Sequence, residues 1–219
     1  PDDIWLTIAD EVDGSYLEQP IAYAVFERRV RALAAALQAR FSVGERALIM
    51  LDNGEHYAIC MLACFYSGVI AVPIFTPEST RHQHLARLNG VASDANASCV
   101  LTSRKLVETI AASGTSFGRL QAIEVDAIDP ALSDAWQPFE TADEDVAFLQ
   151  YTSGSTSTPK GVIVTHACLM ANEHAMSIAF GVGPDSRYVT WAPLYHDMGL
   201  IGGLLLPLYC GIPVVLTSP

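Results

Sequence analysis

Lysine is nearly absent: this chain of 219 residues carries Lys105 and Lys160 and no other. Lys and Arg together number 12 against 24 Asp and Glu, a formal net charge of −12. Nucleic-acid binding needs clustered cations, and a thin scatter of basic residues on an acidic chain excludes that class. Charged residues make up only 16% and hydrophobic ones 51%, which excludes disorder and leaves enough apolar surface for a proper core. No C-x-x-C pair occurs among Cys60, Cys64, Cys99, Cys168 and Cys210, so neither a zinc knuckle nor a redox motif is supported. Odd in number and mostly in apolar surroundings, they read as buried free thiols of a reducing cytoplasm. A membrane-spanning run is lacking as well. The longest apolar stretch, "YAICMLACFYSGVIAV" (57–72), is too short to cross a bilayer comfortably and meets Pro73. No signal peptide opens the chain, which points to a cytoplasmic protein. The first residue is Pro rather than Met, and the closing "GIPVVLTSP" reads as a strand reaching a loop, so a fragment is expected.

What is present is a regular alternation. Residues 21–40 place Val25, Val30, Leu33 and Leu37 on one side and Arg28, Arg29 and Arg31 on the other, which predicts an amphipathic helix. A buried strand is expected at 46–51, stopped by Asp52-Asn53-Gly54, then a helix at 55–67 capped by Gly68. The pattern continues with a strand at 69–74, a polar helix near 81–95, a strand at 98–102, a helix at 103–113 closed by Gly114, and a strand at 120–125. Strand and helix alternating at this spacing imply right-handed crossovers, hence an α/β fold of mostly parallel sheets flanked by helices. Residues 126–145 are acidic and contain proline, and read as a surface connection between two α/β units, about 1–125 and 146–219. The second unit is expected to contain strands at 146–151 and 161–166, a helix at 167–180, a strand at 187–192, a Gly-rich apolar helix at 199–209 and a strand at 212–217. No internal repeat is visible.

Between the first two of those strands lies "TSGSTSTPK" (152–160), with six Ser/Thr side chains, one Gly and one of the two lysines. The flanking apolar runs are β-branched and aromatic, so a hairpin-like pair with a long polar loop is expected rather than a strand entering a helix. Converging backbone N–H groups in a Gly-containing turn form an anion nest, small hydroxyls add donors, and a Lys adds a mobile point charge. Thr152, Ser153, Gly154, Ser155, Thr156 and Lys160 supply all of these. The order is not that of a Walker A loop, because Lys160 precedes Gly161, and this disfavours a P-loop kinase. Nor is it G-x-G-x-x-G. On composition alone a Ser/Thr linker remains an equal alternative.

"YTSGSTSTPKGV" (151–162) resembles the phosphate-binding signature of adenylate-forming enzymes, the superfamily of acyl-CoA synthetases, peptide-synthetase adenylation domains and luciferases. Ser157 stands where Gly is most frequent in that family. A second block, "WAPLYHDMGLIGGLLLPLYCGIPVVLTSP" (191–219), resembles the fatty acyl-AMP ligases in particular, as do "CFYSGVIAVPIFTP" (64–77) and residues 81–103. The resemblance implies part of the large N-terminal lobe of such an enzyme. It implies ATP-dependent activation of a long-chain fatty acid to acyl-adenylate, with release of pyrophosphate and transfer to an acyl carrier protein. It further implies that Thr152–Thr156 and Lys160 hold the β- and γ-phosphates of ATP accompanied by Mg²⁺. By the same resemblance His196, Asp197, Met198 and Gly199 lie at the acyl–adenylate junction, with His196 positioning substrate rather than transferring protons.

On residues alone, adjacent His196 and Asp197 do not make a catalytic dyad, since neighbours on a chain rarely face one another and no activated serine is indicated. Gly199 and Gly203 form a G-x-x-x-G spacing that reads as close helix packing. Leu200, Ile201 and Leu204–Leu206 read as core, with an acyl-channel wall as the alternative. His82, His84, His166 and His174 read as structural or solvated. Within the superfamily, an acyl-CoA synthetase or a peptide-synthetase adenylation domain remains open, and outside it a non-catalytic binding module. The family's later Mg²⁺/adenine motif and C-terminal lobe are missing, so these residues alone are expected to be inactive.

Overall fold

The structure is a computed structural model that describes residues 3–13, 15–76, 82–112, 116–152 and 159–218. The first twenty residues, which carry no expected element, form a hairpin of β1 (Ile4–Val12) and β2 (Ser15–Ala22), turned at Asp13 with φ of 51°. Then follow α1 (Tyr23–Gln38), β3 (Arg46–Met50), α2 (Glu55–Ser67), β4 (Ile70–Ile74), α3 (His82–Asp94), β5 (Cys99–Thr102), α4 (Arg104–Ala112) and β6 (Gln121–Glu124). Past the acidic connection come β7 (Val146–Thr152), β8 (Lys160–Thr165), α5 (His166–Ala179) and β9 (Tyr188–Thr190). A π-helix (Met198–Leu205), α6 (Leu206–Cys210) and β10 (Val214–Thr217) complete the order.

Among the described residues these strands make two mostly parallel sheets. The first runs β6-β5-β3-β4-β7-β8, parallel except for the terminal β7–β8 hairpin. The second runs β2-β1-β10-β9, parallel except for the β1–β2 hairpin. Both sheets therefore draw strands from each side of the 126–145 connection. That connection carries two short 3₁₀ turns, at Val125–Ala127 and Pro130–Ala135, and is pinned down rather than free. The Trp136 indole N–H donates to the Tyr66 carbonyl at 3.0 Å, and the Arg31 guanidinium lies 4.9 Å from its ring centroid.

Period-two alternation along β3 builds a core on each face of the first sheet. Ala47 and Ile49 face α1, α2 and the second sheet, while Leu48 and Met50 face α3 and α4. Trp5 of β1 is fully buried, 4.2 Å from the Phe26 ring and 5.9 Å from that of Tyr23, which locks the N-terminal hairpin onto α1. The buried stripe of α1 uses Phe26, Val30, Leu33 and Leu37. Val25 is 46% exposed, because the stripe starts one residue later than its apolar character suggests. Gly68 ends α2 at φ 73°, as expected, and leaves room for the Phe139 ring. The Gly114 expected to close α4 lies outside the described residues. Cys60, Cys64 and Cys99 are buried free thiols whose ionisation burial opposes, Cys99 being pushed up to about 12. Cys168 is exposed and Cys210 only half-buried, contrary to a uniform reading of buried thiols.

The glycine-rich segment expected as an ordinary α-helix over 199–209 is a π-helix for most of its length. Gly199, Gly202 and Gly203 loosen the chain, and Pro207 has no N–H to continue an α-helical ladder. The G-x-x-x-G spacing does mark close packing. A Cβ on Gly199 would lie 2.2 Å from the Pro193 carbonyl oxygen, and one on Gly203 3.0 Å from Thr190 Oγ1, whereas Gly202 meets nothing within 4 Å. In the full-length protein Gly199→Ala should therefore lose about 1–3 kcal/mol through overpacking. Gly202→Ala should be neutral or gain up to about 1 kcal/mol from helix propensity. Urea unfolding of both variants checks this, and equal midpoints would remove the close-packing account.

Candidate functional site

Parallel strands deliver their carboxyl ends to one edge of a sheet, and the connections leaving β3, β4 and β7 gather at that edge. β3 leads into Asp52 and Asn53, β4 into Phe75 and Thr76, and β7 into Thr152. Thr76 Oγ1 donates to Asp52 Oδ1 at 2.7 Å, tying the first two connections together. β7 and β8 pair in antiparallel fashion, with Thr152 opposite Lys160 and Tyr151 opposite Gly161. β7 and β8 thus form a hairpin whose mouth lies at Thr152 and Lys160. Both residues at its mouth, Thr152 and Lys160, are exposed. Ser153, Gly154, Ser155 and Thr156 lie outside the described residues, so the structure places two of the six expected phosphate-binding residues.

The far side of the hairpin mouth is anchored to α3. The Tyr151 hydroxyl donates to Asp94 Oδ2 at 2.6 Å, and burial together with this hydrogen bond raises its pKa above the ordinary phenol range. The Tyr151 ring fills the space beside Gly161, where a Cβ would lie 2.9 Å from Cζ. Pro159 packs toward Gly90 of α3, its Cγ 3.4 Å from where a Cβ would be. Gly161 after Lys160 is accordingly a packing requirement of the hairpin.

The turn at 191–198 arrives from the second sheet, where β9 ends. Two side-chain amides of the first sheet hold it. Asn53 Nδ2 donates to the Ala192 carbonyl at 2.9 Å, and the Leu194 N–H donates to Asn53 Oδ1 at 2.9 Å. Gln150 Nε2, two residues before Thr152, donates to the Tyr195 carbonyl at 2.9 Å. The turn closes through the His196 N–H donating to the Pro193 carbonyl at 3.0 Å. Rings meet at an angle here: Tyr195 lies 4.9 Å from the His196 ring, tilted, and 6.3 Å from that of Phe75, edge-on. His196, Asp197 and Met198 are exposed, and Gly199 is buried. Asp197 Oδ1 accepts from the Met198 N–H at 2.8 Å and caps the π-helix. His196 and Asp197 therefore share a turn without forming a dyad. His166 and His174 lie elsewhere: the former packs edge-on to Phe65, and the latter stands 3.5 Å from the Tyr209 hydroxyl.

The arrangement is a hairpin whose exposed mouth carries Thr152 and Lys160, and a turn bearing the exposed His196 that Gln150 ties to the same hairpin. The family profile described as AMP-binding enzyme matches residues 10–219. The chain belongs to the AMP-binding enzymes. It is 39% identical over 204 residues to the medium-chain-fatty-acid–[acyl-carrier-protein] ligase JamA of Moorena producens, covering 91% of this chain and 34% of that protein. It is 36% identical to the long-chain-fatty-acid–AMP ligase FadD32 of Mycobacterium marinum, covering 92% and 32%. Among solved structures it superposes on the fatty acyl-adenylate ligase from L. pneumophila in complex with acyl adenylate and pyrophosphate. There the TM-score is 0.89 at 33% identity, covering 97% of this chain and 37% of that one. The chain thus spans about a third of the length of these relatives.

Asn53 and Gln150 were not among the expected site residues. Asp52-Asn53-Gly54 reads only as a turn signal, and Gln150 as one polar position in an apolar strand. A buried amide in a strand is the signal available, since such a group needs a partner. Replacing Asn53 by Ala strands one carbonyl and one N–H, and replacing Gln150 by Ala strands one carbonyl. Losses of about 1–3 kcal/mol per stranded group are expected, larger for Asn53→Ala. Because both amides hold one turn, the double variant should be non-additive by at least about 0.5 kcal/mol. Urea midpoints of the full-length variants test this, and unchanged midpoints would mean that the turn is held by other contacts.

Proposed function

We propose that the full-length protein activates a fatty acid as its acyl-adenylate, releasing pyrophosphate, and passes the acyl group to an acyl carrier protein. The observation that carries this reading is the β7–β8 hairpin. It presents Thr152 and Lys160 at its mouth, beside a turn fixed to the same strand through Gln150. Family membership and the likeness to a fold that elsewhere holds acyl adenylate and pyrophosphate support it. Residues 1–219 span about a third of the length of the ligases they match, and on this reading they do not complete the reaction alone.

The chemistry asks that a carboxylate attack the α-phosphate in line while negative charge develops on the departing pyrophosphate. In the proposed assignment the hydroxyls and backbone N–H groups of residues 152–156 and the ammonium of Lys160 hold the β- and γ-phosphates. Their positive field stabilises the leaving group as the bond to the α-phosphate breaks. His196 and Met198 border the adenylate junction, where the imidazole orients the acyl phosphate. Gly199 keeps the turn tight enough for that approach. Among the described residues no cluster of three or more His, Cys, Asp or Glu is arranged to hold a metal. Mg²⁺ is assigned, by the family resemblance, to the incoming ATP, bound to its phosphates. Among the described residues no helix is long and apolar enough to cross a membrane.

Fatty-acid-dependent exchange between pyrophosphate and ATP should occur in the full-length protein. It should fall at least about tenfold in Lys160→Ala and in Ser155→Ala, the loss of a charge-assisted contact in each case. Acyl transfer should go to a carrier protein rather than to CoA. Unchanged exchange in both variants would sink the phosphate assignment, efficient acyl-CoA formation would replace the acceptor, and pyrophosphate release by residues 1–219 alone would remove the claim of incompleteness.

A further inference from the structure

Away from the hairpin mouth and the turn, one carboxyl group among the described residues is buried with no visible use. Glu173 is 1% exposed, and neither of its carboxyl oxygens has a hydrogen-bond partner. It lies one helical turn beyond Leu169, the other buried residue of α5, so the two form that helix's inward stripe. α5 packs against β7, β8, the π-helix and α6. The titratable groups those elements bring can be counted. β7 carries Tyr151, committed to Asp94, and β8 carries Lys160, exposed at the end of the strand opposite α5. The π-helix carries none. α6 carries Tyr209, beside His174, and Cys210, whose thiol is pushed up by burial and by the nearby Glu173. α5 itself adds His166, Cys168 and His174. No cation among the described residues offsets a charge on Glu173.

A carboxylate so placed does not stay charged. Isolated burial of an ion costs far more than taking up a proton, so the group neutralises. Its place in the fold gives the neutral form a consequence. α5 continues directly from β8, and so moves with the hairpin that bears Thr152 and Lys160. The π-helix begins at Met198, directly after His196 and Asp197. The contact between α5 and the π-helix is therefore a second tie between the two halves of the candidate site, independent of Gln150. We propose that Glu173 is a positioning residue for adenylation: as an uncharged carboxylic acid it allows α5 to close on the π-helix, which sets the Tyr195–Met198 turn against the β7–β8 hairpin. Once ionised it must draw in water or swing outward, and the packing opens. The inference rests on the adenylation reading for its kinetic consequence alone.

Burial raises the Glu173 carboxyl to about 7. Its folded value therefore lies above its unfolded one. The unfolded chain releases this proton first, so stability is greatest in acid, falls as pH rises from the ordinary carboxylate range to about 7, and then levels off. The test compares the full-length protein with Glu173→Gln, a neutral isostere. In wild type, infrared spectra should show a carboxylic-acid C=O band at about pH 6 that is lost by about pH 8 and is missing from the variant. Fatty-acid-dependent pyrophosphate exchange should decline on an alkaline limb centred near pH 7 in wild type. In Glu173→Gln that limb should vanish, leaving the variant several-fold more active than wild type at about pH 8. The thermal midpoint should fall between about pH 5 and 7.5 in wild type and stay level in the variant. The same limb in both proteins, or parallel thermal curves, would overturn the proposal. So would a Gln variant weakened at every pH, the pattern of a carboxylate needed in its charged form. If wild type shows no exchange at any pH, the adenylation reading fails instead, and the infrared and thermal arms still decide the state of Glu173.

Discussion

Two sheets assembled from strands far apart in the chain meet at an end where neither has regular structure to offer the other. Asn53 bridges that gap. Its amide mimics a peptide group, donating to the Ala192 carbonyl and accepting from the Leu194 N–H, both at 2.9 Å, so the turn from the second sheet is read as though it were another strand of the first. Everything proposed for the site depends on this offset. The exposed His196 can stand near the hairpin only if the turn carrying it is fixed, and Leu194, fully buried beside Asn53, is the apolar peg that the amide seats. Gln150 then adds a tie from the very strand whose end is Thr152.

The same constraint accounts for the glycines of 199–203 and the π-helical winding. A turn held at 192–195 by two amides leaves no slack for the helix that follows, which must start almost in contact with the turn's own backbone. Gly199 permits that approach, and a side chain there would meet the Pro193 carbonyl. Gly203 repeats the arrangement one turn later against Thr190, so the helix lies along the end of β9. Wide i→i+5 winding, unusual over a whole segment, is tolerated because Leu200, Leu204 and Leu205 bury fully into the core shared by both sheets. Packing of these leucines thus stabilises a winding that the glycines and Pro207 make accessible.

Most of the regular fold was legible because it rests on local periodicity. The helix at Glu55–Ser67 and its Gly68 cap follow directly from the residue pattern, as does the strand at Cys99–Thr102, whose four residues are all buried. The antiparallel β7–β8 pair was legible from two β-branched runs around a polar stretch. Where reading fell short, the deciding contact is remote or the local signal faint. Strands β1 and β2 mix charged residues with apolar ones, and their Asp13-Gly14 turn signal passes unnoticed without the Trp5 packing that stabilises the hairpin. The partners of Asn53 lie 139, 141 and 164 residues away, and that of Gln150 45 residues away, distances at which nothing in the local pattern identifies them. Thr152 and Lys160 were legible through a motif, which names residues but does not say that Tyr151, Gly161 and Asp94 set the hairpin's mouth.

The scarcity of lysine has a physical consequence for anion binding. A chain with a net charge of −12 presents a field that opposes the approach of a polyanion over the Debye length. Any grip on a triphosphate must therefore be short-ranged, built from donors that act within hydrogen-bond distance. In the proposed assignment the hydroxyl-rich sequence between Thr152 and Lys160 would supply such a grip, and the Lys160 ammonium would add charge where the departing pyrophosphate needs it. Lys160 is exposed and has no carboxylate ion-paired to it among the described salt bridges, so its charge is not already spent. A basic surface would bind anions without discrimination. On the proposed reading, one lysine beside a hydroxyl-rich sequence on an acidic chain would instead favour ligands able to satisfy those donors, the selectivity an adenylation site requires.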